Sequence, residues 1–351
     1  MIKKTTTKKV RIKFPSELRL DLVSRDWVVI ATGRARRPET FKKEERKRIT
    51  ESEKTCPFCQ IKTQKKPTLI FSKGRRCSFK NWDKLSKDWT VIVIPNKYPA
   101  FFPYPKLNER TEGGIYKKIN AAGFHEVVVT RDHIKHMGQF SVEQTKEVFD
   151  VYQSRYLDLM GKKFVNHISI FHNHGQEAGA SIFHPHSQII TTPLIDVDLQ
   201  NALSNSRIYS KKQKKCVYCK MNEWERKNKK RVVFENKEFL VICPFASKTA
   251  FQVIISPKKH LSYFEQATEE EKWELSEAFQ IALSKIYKVL NNPDYNFYLH
   301  TAPCDNEKHD YYHWHWTILP KTATSAGFEI GTRMEISTIE PEKAVEYLRK
   351  Q

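Results

Sequence analysis

The sequence predicts an α+β protein made of two related halves, whose antiparallel strands form one common sheet with helices packed on one side. Each half contains, in the same order, a Cys-x-x-Cys pair, two apolar strands, a long helix, a further strand and a His-x-His. The histidine that ends the second strand precedes the His-x-His by 51 residues in the first half (His133 to His184) and by 53 in the second (His260 to His313). This near-equal spacing indicates an internal repeat, and we divide the chain into residues 1–195 and 196–351.

The elements of the repeat follow from apolar runs and from helix-start signals. Ser141 with Gln144, and Thr268 with Glu271, each fit a capping box, in which side chains satisfy the free N–H groups of a first helical turn. Apolar residues then recur at helical spacing in both segments. We predict strands over residues 91–95, 127–133 and 167–171 with a helix over 141–160, and strands over 240–244, 253–260 and 295–300 with a helix over 268–290.

The segment with the clearest chemistry is NHGQEAGASIFHPHSQ, at residues 173–188. Pro185 favours an extended backbone at His184, and residues two apart in an extended chain share a face, so His184 and His186 are expected to point the same way. An imidazole with an ordinary pKa near ~6.5 is largely neutral at pH 7 and can attack phosphorus. Gln188 offers an uncharged donor to phosphate oxygens, and the small residues of the segment let an anion approach the backbone.

The same segment resembles the signature of the galactose-1-phosphate uridylyltransferase family, the transferase branch of the histidine-triad superfamily. Its HPHSQ motif at residues 184–188 follows an Asn and a Ser, as in the family. Other blocks that look like the family's are residues 17–41, CPFC at 56–59, VIVIPNKYPAF at 91–101, LHTAPC at 299–304, YYHWHWTILPK at 311–321 and AGFEIGT at 326–332. The likeness covers almost the whole chain and implies two histidine-triad-like halves.

The resemblance implies roles for individual residues. His186 would be the nucleophile that takes a nucleoside monophosphate from a nucleotide sugar, and Gln188 would bond the transferred phosphate. Three residues would contact the donor: Asn173, Gly179 and Ser181. Phe328 and Glu329 would lie near the sugar and would come from the partner subunit of a homodimer.

Two pairs of cysteines predict metal sites, because Cys-x-x-Cys pairs in a reducing compartment are typical of metal ligands rather than of disulfides. Distant histidines must complete a tetrahedral zinc site. By resemblance the first set is Cys56, Cys59, His133 and His184. By symmetry of the repeat the second set is Cys216, Cys219, His260 and His313. Four protein ligands leave no position for water, so both zinc sites are expected to be structural.

The formal net charge is +21 over 351 residues. Such an excess of Lys and Arg is one mark of nucleic-acid-binding proteins. The charges are nevertheless spread over both halves, with runs at 211–215 and 227–231 that are expected to lie in loops, which argues against nucleic acid as the partner. The N-terminal segment lacks the apolar run of a signal peptide and no stretch reaches the ~18 apolar residues of a membrane span, so we expect a cytoplasmic protein.

The resemblance, with the chemistry of the HPHSQ segment, implies a nucleotidyltransferase that moves UMP from UDP-glucose to a hexose 1-phosphate through a covalent nucleotidyl-histidine. The sequence before His186 does not decide between bases. A phosphorylase acting on ADP-glucose or on a dinucleoside polyphosphate is therefore an alternative on the same fold. A zinc-dependent nucleic-acid-binding protein is an alternative from another class, suggested by the charge and the cysteine pairs, but it gives HPHSQ no role.

Overall fold

The computed structural model describes residues 16–32, 52–78 and 88–351. In chain order the strands of this part are β1 (Ser16–Leu20), β2 (Trp27–Ala31), β3 (Leu69–Ser72), β4 (Arg75–Arg76), β5 (Val91–Pro95), β6 (Arg110–Glu112), β7 (Tyr116–Lys118), β8 (His125–Thr130), β9 (His167–His174), β10 (His186–Thr192), β11 (Val232–Glu235), β12 (Phe239–Ile242), β13 (Val253–Pro257), β14 (Tyr295–His300), β15 (His315–Pro320) and β16 (Ile336–Ser337). The α-helices are α1 (Val142–Met160), α2 (Val197–Gln213), α3 (Val217–Asn228), α4 (Glu269–Leu290), α5 (Gly327–Thr332) and α6 (Pro341–Arg349).

Eleven strands form one antiparallel sheet in the order β11-β12-β13-β15-β14-β9-β10-β8-β5-β3-β4. β9 and β14 pair at its centre, with Asn173 opposite Asn296 and Phe171 opposite Tyr298. From this β9–β14 seam each half adds first the strand that begins within its His-x-His, and then three further strands in matching order; the first half ends with one additional edge strand, β4. The predicted α+β fold with a common antiparallel sheet is confirmed.

One face of the sheet is covered by the two long helices. α1 begins after Ser141 and α4 after Thr268, and both hydrogen bonds of each predicted capping box are present. Phe149 of α1 and Phe279 of α4 meet edge to face with ring centres 5.2 Å apart, and both also pack edge-on against Trp316 of β15. Because burial of one such side chain contributes about 1.5–3 kcal/mol, this aromatic cluster is a major source of core stability.

Side chains alternate between the two faces along the central strands. Those of β9 that face the helices are Ile168, Ile170, His172 and His174. His172 stacks on the Phe297 ring with 4.8 Å between centres, so it belongs to the core. On β10, Ile189 faces the same core. Ser187 faces it too, through hydrogen bonds to Tyr152 and His172. His186 and Gln188 alternate with these residues and therefore point to the opposite face of the sheet, which the two long helices leave open.

Three strands end earlier than predicted. β12 ends at Ile242 rather than at residue 244. β8 ends at Thr130 and β13 at Pro257, so His133 and His260 lie in the loops that follow. After β8 the Asp132 carboxylate accepts the two N–H groups that follow His133, at 2.9 and 2.8 Å, and this turns the chain away from the sheet. The end of β8 therefore depends on the side chain of Asp132 and could not be predicted from the pattern of apolar residues.

The basic runs at 211–215 and 227–231 do not lie wholly in loops, contrary to prediction. α2 and α3 extend into them, so part of each run forms the last turn of a helix. Lys214 and Lys229 then end these helices in the left-handed conformation, with φ of 55° and 54°. Cations are favourable near a helix C-terminus because they interact with the helix dipole, so the lysines are compatible with helix as well as with loop.

Two smaller sheets complete the described strands. β1, β2 and β16 form a three-stranded sheet in which β16 runs parallel to β2, and β6 pairs with β7 as a hairpin. Arg19 of β1 donates to the Glu342 carboxylate of α6 at 3.1 Å, which joins the N-terminal segment to the second half. Among the helices described, none is both long and apolar enough to span a membrane.

Candidate active site and metal centres

His186 stands at the first position of β10, on the open face of the sheet. Its Nδ1 lies 2.9 Å from the backbone carbonyl oxygen of His184. Because a carbonyl oxygen can only accept, Nδ1 carries the proton and Nε2 keeps its lone pair. Burial lowers the pKa of His186, and the hydrogen bond to His184 partly opposes that shift. The ring is therefore a neutral imidazole whose Nε2 is the nucleophilic atom.

Gln188 lies two residues further along β10 and shares the open face with His186. Its Oε1 is 2.8 Å from Nε2 of His125, on the neighbouring strand β8. His125 is a functional candidate that sequence reasoning missed. The contact joins residues 63 positions apart, and it exists only because β8 pairs with β10. A short sequence motif cannot predict a contact that depends on the pairing of two distant strands.

Asn173 is the neighbour of His186 on the other side of β10. In the register of β9 with β10, Ser187 is opposite His172, which puts Asn173 beside His186. Asn173 is on the open face because its two neighbours along β9, His172 and His174, point toward the helices. The predicted nucleophile, the predicted amide donor and a predicted donor-binding residue therefore share one surface.

A glycine-rich loop returns the chain over the seam between β9 and β14. The Asn296 amide donates both to Asn173 Oδ1 and to the Ala178 carbonyl oxygen, each at 2.8 Å. Gly179 has a φ of +86°, a conformation that side-chain-bearing residues adopt only at a cost. Ser181 follows in the same loop and is exposed. The structure thus brings the predicted Asn173 and Gly179 to the seam and adds Asn296 to them, while Ser181 lies two residues further along the loop.

The second half repeats the histidine geometry without the amide. His315 begins β15, and its Nδ1 lies 3.1 Å from the His313 carbonyl oxygen. Thr317 takes the place that the glutamine has in the first half. A cavity of about 570 Å³ lies over this region, with His300 and His315 in its lining. Because a threonine has no NH₂ group, this position of the second half offers no amide donor.

The two residues expected near the sugar lie on a different part of the chain. Phe328 and Glu329 belong to the short helix α5, and Phe328 is 48% exposed. Glu329 accepts the N–H of Ala326 at 2.9 Å and so caps its own helix. Both side chains therefore lie outside the strands that carry His186.

The first predicted metal set comes together in the structure. Nδ1 of His184 lies 3.6 Å from Sγ of Cys56 and 3.5 Å from Sγ of Cys59. Nδ1 of His133 lies 3.3 Å from the same His184 nitrogen and 3.2 Å from Sγ of Cys59. The other ring nitrogen of His184 donates to the Thr130 carbonyl oxygen at 2.7 Å, which leaves Nδ1 available as a ligand.

The second set has the same construction. Sγ of Cys219 lies 3.4 Å from Nδ1 of His260 and 3.5 Å from Nδ1 of His313. The Nε2 atoms of these histidines donate to backbone carbonyl oxygens at 2.6 and 2.9 Å. Cys216 completes the group, in which all four ligand atoms lie within 4.8 Å of one another.

The donor atoms of both sets fit a tetrahedral ion. With metal–nitrogen and metal–sulfur distances of about 2.0 and 2.3 Å, the edges of a tetrahedron are roughly 3.3–3.8 Å long. The measured separations, from 3.2 to 3.6 Å, match those edges. A backbone hydrogen bond on the second ring nitrogen is also the usual way of orienting a histidine ligand. Each group could therefore hold a metal ion.

Comparisons with known proteins relate the whole chain to one family. The model for the galactose-1-phosphate uridyl transferase N-terminal domain matches residues 5–196, and that for the C-terminal domain matches residues 202–349. An ADP-glucose phosphorylase of Arabidopsis thaliana is 30% identical over 338 residues, which are 95% of this chain and 92% of the relative. A galactose-1-phosphate uridylyltransferase of Thermotoga maritima is 26% identical over 343 residues, 95% of this chain and 98% of the relative. The crystal structure of an Arabidopsis ADP-glucose phosphorylase with bound ADP-glucose matches with a TM-score of 0.78 and 27% identity, over 96% of this chain and 99% of that one.

A two-half antiparallel sheet that carries a neutral histidine beside a glutamine, in a chain with these relatives, defines a nucleotidyltransferase. The chain belongs to the galactose-1-phosphate uridylyltransferase family. The family predicted from the HPHSQ motif and the accompanying blocks is confirmed.

Proposed function

We propose that the enzyme transfers a nucleoside monophosphate from a nucleotide sugar to an anionic acceptor by way of His186. One observation carries the proposal: Nδ1 of His186 is engaged by the His184 carbonyl oxygen, so Nε2 is the free nucleophile, and Gln188 stands beside it on the same strand. The order of the two half-reactions is then ping-pong, because the nucleotide leaves the donor before the acceptor takes it.

In the first half-reaction Nε2 of His186 donates its lone pair to the α-phosphorus of the donor. The new nitrogen–phosphorus bond replaces the bond from that phosphorus to the bridging oxygen, and the sugar 1-phosphate leaves with the electron pair. The ring becomes positively charged, and the N–H on Nδ1 strengthens its hydrogen bond to the His184 carbonyl oxygen. The leaving group is a stable anion, so no proton donor is required.

In the second half-reaction a phosphate oxygen of the acceptor attacks the same phosphorus and the nitrogen–phosphorus bond breaks. The electron pair returns to Nε2, and the neutral imidazole is restored. We assign the amide of Gln188 to hold the transferred phosphoryl group in both steps, since a neutral donor stabilises its oxygens without the repulsion of a carboxylate. Asn173, Gly179 and Ser181 are assigned to the phosphates of the donor.

Two donor and acceptor pairs are candidates. UDP-glucose with a hexose 1-phosphate is the pair that the sequence predicts, and the Thermotoga relative is named as a galactose-1-phosphate uridylyltransferase. ADP-glucose with inorganic phosphate is the second, and it is favoured by the 30% identity and the 0.78 TM-score with ADP-glucose phosphorylases. Both pairs use the same His186 chemistry.

Isotope exchange tests the proposal and separates the donors. The purified enzyme is incubated with labelled glucose 1-phosphate and either unlabelled UDP-glucose or unlabelled ADP-glucose, without a second acceptor. A covalent intermediate predicts that label enters one donor, since the leaving group can return to the nucleotidyl-enzyme. Absence of exchange with both nucleotide sugars, under conditions where the complete reaction runs, would rule out this mechanism.

We propose zinc for both cysteine and histidine sets, because their donor types and separations suit it. Bound zinc would supply structural cross-linking, with no open position for substrate. In the first set the side chain of His184 is a proposed ligand, and its backbone carbonyl oxygen orients the ring of His186. A reducing compartment such as the cytoplasm suits these sites, and the described cysteines are all free thiols.

We propose a homodimer in which Phe328 and Glu329 reach the site of the partner subunit. The exposure of Phe328 and its place on a short surface helix support this arrangement. The division into residues 1–195 and 196–351 is also a proposal, supported by the mirrored strand order on either side of the β9–β14 seam.

A further inference from the structure

His125 is held through both nitrogens of its ring. The backbone N–H of Ala100 points at Nδ1 with 3.1 Å between the nitrogens, so Nδ1 acts as the acceptor. In a neutral imidazole the other nitrogen then carries the proton. Nε2 of His125 is therefore a donor, and the atom it faces at 2.8 Å is Oε1 of Gln188.

This hydrogen bond decides which way the Gln188 amide is turned. If the amide were reversed, its NH₂ group would meet the N–H of His125, donor against donor. With Oε1 on His125, the NH₂ group is the end of the amide that is left for another acceptor. A phosphate needs a donor of this kind, whereas a carbonyl oxygen turned toward it would repel it.

The position of His125 is fixed from the backbone as well. Asn96 donates its backbone N–H to the His125 carbonyl oxygen at 2.8 Å. The next residue along β8, Glu126, faces the helices and makes a two-pronged ion pair with Arg155, at 2.6 and 2.8 Å. β8 is thus anchored on both sides of the ring, so the imidazole is presented to Gln188 in a defined place.

Asn96 supplies the competing arrangement. Its Nδ2 lies 3.0 Å from Nε2 of His125, and its Oδ1 accepts the N–H of Tyr98 at 2.8 Å. The opposite tautomer of His125 would accept from Asn96, but its Nδ1–H would then confront the N–H of Ala100. A side-chain amide can rotate away from such a conflict and a backbone N–H cannot, so the Ala100 contact decides the tautomer.

We propose that His125, with the Ala100 backbone N–H behind it, is a positioning residue that sets the Gln188 amide with its NH₂ group toward the transferred phosphate. The inference rests on the proposed role of Gln188. It adds that the Ala100 N–H fixes the tautomer of His125, and that this tautomer fixes the orientation of the Gln188 amide that binds the phosphoryl group.

A double-mutant cycle with a conservative rescue tests the proposal. The rate of nucleotidyl-enzyme formation is measured in a single turnover with the donor that the wild-type enzyme uses. His125→Phe is expected to slow it about tenfold, the worth of one well-placed hydrogen bond. His125→Gln, whose amide can offer a donor close to the place of Nε2, is expected to recover most of the rate. In a Gln188→Met background, His125→Phe is expected to change nothing further, because the group on which it acts is gone.

The inference would be overturned if the double variant formed the nucleotidyl-enzyme more slowly by the product of the two single effects, or if His125→Phe formed it at the full rate. It would also be overturned if His125→Gln recovered none of the rate while its metal content and melting temperature matched the wild type. If the wild-type enzyme forms no adduct at all, the proposed function fails and not this inference. The tautomer of His125 can be measured in the wild-type enzyme, so this test does not depend on whether the variants fold. In ¹⁵N-histidine-labelled wild-type enzyme, the signal lost in His125→Gln should show a protonated Nε2 and an unprotonated Nδ1, and the reverse pattern would refute the proposal.

Discussion

The chemistry of His186 depends on one carbonyl group two residues before it. The His184 carbonyl oxygen fixes the proton on Nδ1, and the nucleophilic lone pair is left on Nε2. The motif alone predicts the nucleophile and the glutamine, because both belong to one short segment. It does not predict the tautomer or the His125 contact, because these depend on backbone directions and on a strand that is remote in sequence.

At this scale the assignment of Gln188 makes a direct prediction. Gln188→Glu places a negative charge beside the phosphoryl group and should slow nucleotidyl-enzyme formation by about 10²–10³-fold. Rapid-quench mixing followed by mass spectrometry of the intact chain measures the rate of nucleotidyl-enzyme formation. Glu177→Gln, in the loop between β9 and β10, is a control that should leave the rate within about twofold. An undiminished rate in Gln188→Glu would show that the side chain does not contact the phosphate.

The elements of the fold were largely readable from the sequence because their signals are local. Both long helices begin at their capping boxes, and β5 and β14 have the predicted bounds. The errors lie where a single side chain ends an element, as Asp132 does after β8. The metal sets were predicted by family resemblance and by repeat symmetry, since spacing within the chain cannot by itself choose histidines among thirteen.

Packing of β8 against α1 predicts a stability effect. Glu126 and Arg155 are both buried, so Glu126→Ala leaves the guanidinium with only the partly exposed Asp158 carboxylate as counter-charge, and it should lower the free energy of unfolding by about 3 kcal/mol. Glu112→Ala removes an exposed ion pair with Lys118 and should cost no more than about 1 kcal/mol. Urea unfolding followed by circular dichroism gives both values. Equal costs would mean that the buried pair does not anchor the strand.

The two metal sets are expected to differ in their effect on catalysis. With the proposed zinc in both sets, Cys56→Ser should remove one of the two ions per chain and also abolish adduct formation, because His184 then loses the constraint that orients His186. Cys219→Ser should remove the other ion and lower stability while the adduct still forms. Cys77→Ser, outside both sets, should keep both ions. Metal analysis after gel filtration checks the counts, and an adduct formed normally by Cys56→Ser would separate the first ion from catalysis.

The whole molecule is organised about the seam between β9 and β14. The repeat in the sequence predicted the common sheet, but not which strands meet at its centre, because that choice is made by pairing between the halves. The two halves differ at the matching position. The first half has the amide beside its histidine, and the second has Thr317 in that position.

Complementation between subunits tests the proposed dimer. The chain should sediment as a dimer, and His186→Ala mixed with Glu329→Gln, after exchange of subunits, should regain activity that neither variant has alone. Random reassociation would restore about a quarter of the sites, since half of the dimers are mixed and each mixed dimer has one intact site. A monomer, or a mixture as inactive as its components, would contradict the proposal that Glu329 serves the partner.

The most direct test of the nucleotidyl-histidine is the mass of the intact chain after brief exposure to UDP-glucose or ADP-glucose, followed by proteolysis and mapping of the modified peptide. One donor should add a single nucleoside monophosphoryl group, and the label should lie on His186. His186→Ala should form no adduct while it keeps its zinc and its melting temperature. An unmodified wild-type chain during turnover, or an adduct that persists in His186→Ala, would contradict the account.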